Sequence, residues 1–191
     1  MEDKNCSEKE VWSKVKNLLG NREIRLGQHW SYNIHNDPKR LVFVLSRYKF
    51  AAKMGAQDRQ ILELGCSEGI GLPILSEFAT GYTGVDMDGE AIKTAKQNWV
   101  SEKIVFIEDN FLGKTYGTFD TVISMDVVEH ILPTSEHLFF DTMYNNLAEN
   151  GIGIVGTPNV TATAYASPAS QIGHVNLFDA ERLKQTMQKL F

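Results

Sequence analysis

The sequence predicts a doubly wound α/β domain, a mostly parallel sheet with helices on both faces, preceded by a helical extension. From Arg59 onward, short runs rich in Val and Ile alternate with segments of helical period. Gly or Asp bounds the runs. Helices rather than tight turns connect them, and strands joined by such crossovers pair in parallel.

Residues 1–57 make up the extension. Trp12 to Leu19 reads as a helix, whereas Arg25 to Asp37 is polar and aromatic without a clear period. Asp37-Pro38 supplies an N-cap followed by proline at the first helical position, and Leu41, Leu45, Tyr48 and Ala52 recur at helical spacing until Gly55. The domain proper is expected over 58–191. Its strands fall at Ile61–Leu64, Tyr82–Val85, Ile104–Ile107, Thr121–Met125 and Ile152–Gly156. Helices are expected at Leu72–Ala79, at Glu90–Val100, at Glu136–Leu147 closed by Gly151, and at Asp179–Phe191 capped by Asp179. Such domains usually place further strand material after that last helix, so the expectation is either a minimal fold or a portion of a longer protein.

With 191 residues, 42% hydrophobic and 23% charged, the chain has the composition of one folded domain. Nineteen Lys and Arg against 24 Asp and Glu leave a net charge of −5, which disfavours a nucleic-acid partner, since grip on a phosphate backbone needs a basic surface. A small-molecule substrate is expected instead. No run approaches the roughly 18 apolar residues of a membrane span, so no membrane insertion is expected. The start of the chain carries no secretory pattern, and a cytoplasmic location is the expectation. Cys6 and Cys66 form neither a disulfide framework nor a metal-binding spacing.

The chemistry is concentrated at strand ends. Ile61 to Gly71 is a buried strand running into a small-residue turn and a helix, the place where sheets of this type collect ligands. Asp86 ends the second strand 21 residues beyond Gly65, near the spacing of about 20 at which a carboxylate accepts from ribose hydroxyls. Asp88 reads as a helix cap. Asp109 closes the third strand, either as a plain polar strand-end residue or as an acceptor for an exocyclic amine. A dinucleotide fingerprint would need glycines at 65, 67 and 70, but the chain has Gly65, Ser67 and Ile70, which disfavours a pyrophosphate ligand. In Asp126-Val127-Val128-Glu129-His130 three readings stay open: a capping box, a general base, or convergence of Asp126, Glu129 and His130 on a metal. His174, after the fifth strand, is placed to complete such a cluster.

Gly65, Ser67 and Gly69 behind Glu63 resemble motif I of the class I S-adenosylmethionine-dependent methyltransferases, with Ser67 standing where a glycine is usual. The resemblance covers roughly residues 59 to 190. It implies a Rossmann-like fold with S-adenosyl-L-methionine as cofactor. The turn from Gly65 through Cys66 and Ser67 to Gly69 would hold the methionine moiety, and Glu63 would orient its ammonium. Asp86 would take the ribose, Met87 the adenine face, and Asp109 with Asn110 the adenine amino end. Asp126 would end the strand that faces the methyl sulfonium. A cationic cofactor suits a mouth carrying these acids with no Lys or Arg nearby. A similar acidic-x-x-Glu-His pattern occurs in ubiquinone-pathway O-methyltransferases and small-RNA 2′-O-methyltransferases, where it can bind a divalent cation.

The expected activity is therefore methyl transfer to a small-molecule hydroxyl, of a sugar or glycan precursor for example, with His130 or His174 as base and no metal assigned. The alternatives are a metal-dependent RNA 2′-O-methyltransferase and a catalytically silent cofactor-binding subunit. The Ala-, Ser- and Thr-rich connection from Val160 to Ile172 reads as a substrate lid or a surface loop. Gln28 to Tyr32 is expected to pack on the sheet edge, with closure over the cofactor as its other reading.

Overall fold

A computed structural model describes residues 7–21, 23–99 and 101–190. Cys6 and the expected helix ends Val100 and Phe191 lie outside the described residues. The extension holds three helices among those residues: α1 (Glu8–Leu19), α2 (Gln28–Asn36) and α3 (Lys39–Gly55). Ser7 and Glu10 close a capping box on α1, which starts it four residues earlier than the hydrophobic pattern suggested and buries none of its side chains. The helix α2 corrects the aperiodic reading of Arg25 to Asp37, and it packs on α3 rather than on the sheet edge.

The domain follows as β1 (Gln60–Leu64), α4 (Leu72–Leu75), β2 (Gly81–Asp86), α5 (Gly89–Asn98), β3 (Ile104–Glu108), β4 (Phe119–Met125), α6 (Glu136–Asn145), β5 (Leu147–Gly156), α7 (Pro168–Gly173) and α8 (Ala180–Gln188). The strands lie in the order β3-β2-β1-β4-β5, and every neighbouring pair is parallel. Side chains of β1 alternate between two cores, as the period of two demands. Ile61 packs with α3, α4 and α5, whereas Leu62 and Leu64 pack with Phe139, Phe140 and Met143 of α6 and with α8. Helices thus cover both faces, and chain order reverses between β1 and β4, which opens a crevice at the carboxyl ends of the strands.

Three boundaries differ from expectation. The helix α4 stops at Leu75, and tight turns carry the chain through Phe78. Asn146, rather than Gly151, terminates α6: its buried amide donates to the carbonyls of Lys114 and Thr142 and accepts from the Tyr116 N–H. Leu147 then already pairs with Phe119, and the partner of Thr121 is Ile152, so a bulge with Asn150 at φ 64° separates that first contact from the continuous ladder. The connection after β5 is also ordered, with a 3₁₀ run at Val160–Tyr165 capped by Asn159, and α7 capped by Ser167 with Pro168 at its start.

Candidate active site

The floor of the crevice is the turn after β1. Gly65 (φ 79°) and Gly69 (φ 74°) adopt left-handed backbone, and so does Ser67 at 48°, a conformation that costs a non-glycine residue about 1–2 kcal/mol. A Cβ on Gly65 would sit 2.3 Å from Cγ2 of Val127, so the glycine serves close packing as well as φ. The Ser67 N–H donates to Oδ2 of Asp86 at 2.8 Å, and the Asp88 N–H donates to its Oδ1 at 2.9 Å. Two backbone donors thus hold this carboxylate at the crevice while leaving lone pairs on both oxygens. Asp88 caps α5 through the N–H groups of Glu90 and Ala91, as its position predicted.

A cavity of about 490 Å³ rises from this floor, within the range of small-molecule sites. Of the residues singled out by sequence, Gly65, Cys66, Ser67, Asp86, Met87, Asp126, His130 and His174 line it. Gly69, Glu63, Asp109 and Asn110 do not. Glu63 is fully buried and accepts hydrogen bonds from the hydroxyls of Tyr48, at 2.5 Å, and Tyr82. Burial pushes its pKa up to about 7 against the opposing effect of those two bonds. Asp109 is held by Lys114 and by the Tyr116 hydroxyl, which keep its carboxyl below the usual range, and Asn110 accepts from the Leu112 N–H.

The expectation of a mouth without Lys or Arg is overturned. Arg47 pairs with Asp126 at 2.5 Å, and Arg40 lines the cavity, donating to Oδ1 of Asn33 and Oγ of Ser170 at 3.2 Å each. Arg40 forms no ion pair with a carboxylate among the described residues. Both arginines stand on the same side of α3 as Val44 and Tyr48, and that spacing was the signal available in the sequence. The capping-box reading also fails. Asp126 has φ 57° and its carboxylate turns to Arg47, while Val128–His130 forms only a 3₁₀ turn without a side-chain cap.

Folding brings Glu129, His130 and His174 together instead, with one ligand atom from each lying within 4.8 Å of the others. The N–H groups of Val175 and Asn176 donate to the Glu129 carbonyl at 2.8 and 3.0 Å, which draws His174 against His130. The two rings meet edge to face with centroids 5.0 Å apart. Nδ1 of His130 is 2.9 Å from the Gly173 carbonyl, which can only accept, so the neutral ring presents Nε2 as a lone pair. Glu129 accepts from the Thr157 hydroxyl at Oε2, while its Oε1 is buried without a partner. Burial, reinforced by Asp126, raises the Glu129 pKa to about 7. Burial, His130 and Arg40 lower that of His174, favouring the neutral ring. These groups can take up a hydroxyl proton or hold a cation.

The roof comes from the extension and from α7. Trp30, Tyr32 and Asn33 of α2, together with Ala169 and Ser170 of α7, face the cavity. Trp30 is buried in the core and also faces the mouth of the cavity.

A family model described as a methyltransferase domain matches residues 25–190. Among curated proteins, the ubiquinone biosynthesis O-methyltransferase of Glaesserella parasuis serovar 5 is 28% identical over 139 residues, which are 68% of this chain and 56% of the relative. That of Caulobacter sp. strain K31 is 30% identical over 112 residues, 56% of this chain and 44% of the relative. The chain spans about half the length of the curated relatives it matches. Among solved structures, the N-methyltransferase NodS of Bradyrhizobium japonicum WM9 with S-adenosyl-L-homocysteine superposes with a TM-score of 0.63 at 22% identity, covering 83% of this chain and 78% of that one. A SAM-dependent methyltransferase from Archaeoglobus fulgidus gives 0.65 at 20% identity, covering 86% and 74%. At these identities the structural likeness speaks for the fold.

Proposed function

The chain belongs to the class I S-adenosylmethionine-dependent methyltransferases, and from that premise we propose that it methylates a hydroxyl oxygen of a small molecule. The cavity fits the family's cofactor on chemical grounds. The turn at Gly65 to Ser67 admits close backbone approach, Asp86 offers free lone pairs to ribose hydroxyls, and Met87 offers an apolar surface. Arg40, which forms no ion pair among the described residues, suits the cofactor's carboxylate. When bound, the cofactor supplies a methyl group already activated on a positively charged sulfur.

The observation that carries oxygen as acceptor is the Glu129–His130–His174 cluster on the cavity wall. A hydroxyl must lose its proton as it is methylated, and Nε2 of His130 or the neutral His174 ring takes it up. The helices α2 and α7 exclude water and align the acceptor, an effect worth up to roughly 7–11 kcal/mol in favourable cases. The names of the curated relatives agree with oxygen as acceptor. A second reading, favoured by the unpartnered Oε1 of Glu129, has the same three side chains holding a divalent cation. One carboxylate and two imidazoles are a donor set suited to a transition-metal ion.

The test is turnover of radiolabelled cofactor with panels of catechols and of sugars. His130→Ala and His174→Ala are each expected to lose at least about a hundredfold in rate while binding S-adenosylhomocysteine normally. Full turnover in both variants excludes these side chains from the reaction. Loss of activity on chelation, restored by added metal, assigns the cation, and indifference to chelator assigns the base.

A further inference from the structure

We propose that the outward face of α3 docks the protein on an anionic lipid surface. The helix carries five cations (Lys39, Arg40, Arg47, Lys49 and Lys53) and no Asp or Glu, in a chain whose net charge is −5. Arg40 and Arg47 turn to the cavity. Lys39, Lys49 and Lys53 lie outward, interleaved at helical spacing with Val42 (64% exposed), Phe43 (61%), Phe50 (61%) and Met54 (57%). A groove of about 370 Å³ runs beside this stripe, lined by Leu45, Ile74 and Phe78 and flanked by Lys49 and Lys53.

Lys49 and Lys53 form no ion pair among the described residues. Asp37 lies 3.7 Å from Lys39, and Glu77 lines the groove. Phenylalanine and methionine side chains beside lysines, whose stems reach from apolar surface to charge, match the boundary between acyl chains and phosphate headgroups. A second copy is the poorer occupant, because a two-fold contact through this face would bring lysines against lysines. Docking by α3 places the cavity, which the same helix lines, beside the lipid surface.

The test is co-sedimentation of the full chain with vesicles of phosphatidylcholine alone or mixed with phosphatidylglycerol. Binding is expected only to the mixed vesicles, with release at high salt. Lys49→Glu with Lys53→Glu is expected to weaken it roughly thirtyfold or more. Phe43→Ser with Phe50→Ser is expected to weaken it as well, and both variants should bind S-adenosylhomocysteine with unchanged affinity. Should charge reversal disturb folding, Lys49→Gln with Lys53→Gln gives the same comparison. The proposal is overturned by no binding, by equal binding to neutral vesicles, or by unchanged binding in the variants. A concentration-dependent dimer that the Phe43→Ser, Phe50→Ser variant loses, without vesicle binding, assigns the face to a second copy and overturns it too.

Discussion

Glu63 and Glu129 are buried carboxyls with pKa values raised to about 7 from the usual 4.5, the first by burial and the second by burial together with Asp126. A raised acid pKa means that the folded state binds the proton more tightly than the unfolded chain does. Each group therefore lowers stability progressively as pH climbs from 4.5 to about 7, and by a constant amount above that. Glu63→Gln keeps the shape of the side chain and removes its titration. The variant is expected to gain on the parent across this window and to lose that advantage in acid, as read from urea midpoints at a series of pH values. An unchanged pH slope would contradict the assignment. At Gly65, both the left-handed backbone and the 2.3 Å approach to Val127 forbid a side chain. Gly65→Ala is expected to cost about 2 kcal/mol or more in unfolding experiments and to weaken cofactor binding at least tenfold. Gly65 and Asp86 were legible from spacing, because a strand-to-helix turn and the next strand end are local patterns. Arg47 as the partner of Asp126 was not, since the two lie 79 positions apart.

Among the elements, α2 depends on a cap from another part of the chain. The Glu68 carboxylate, itself buried, accepts from the N–H groups of His29 at 3.1 Å and Trp30 at 3.3 Å. Unpaired first-turn donors and the positive helix end make this a favourable place for a carboxylate, worth about 1–2 kcal/mol. Because Glu68 belongs to the turn that floors the cavity, it couples the roof to the floor. Glu68→Ala is expected to accelerate hydrogen exchange in α2 and to weaken S-adenosylhomocysteine binding about fivefold to thirtyfold. Protected α2 amides in that variant would mean that packing of Trp30 alone holds the helix. The contrast with α3 explains what was readable: Leu41, Leu45, Tyr48 and Ala52 announce that helix by period, whereas α2 has no side-chain cap of its own.

On the scale of the whole molecule, the site exists because the crevice between β1 and β4 is roofed by two separate segments. Arg40 joins them, reaching Asn33 in α2 and Ser170 in α7 from the start of α3. If it also takes the cofactor's carboxylate, Arg40→Ala should weaken S-adenosylhomocysteine binding about tenfold to a hundredfold in calorimetry. Its effect on a decarboxylated analogue should be small. Equal losses for both ligands would leave Arg40 as a brace between the segments only.

The sequence by itself determined the sheet, the helices that flank it, the glycine turn and the acid at the second strand end. Each of these follows from a short-range rule: a period of two or of 3.6, a cap, or backbone that only a small residue adopts with ease. Only the tertiary structure decided that His174 meets His130, that Glu63 is sealed between two tyrosines, and that Arg47 pairs with Asp126. Those arrangements are made by backbone and side-chain bonds between segments far apart in the chain, such as the one from Val175 to the carbonyl of Glu129, and no local pattern encodes them.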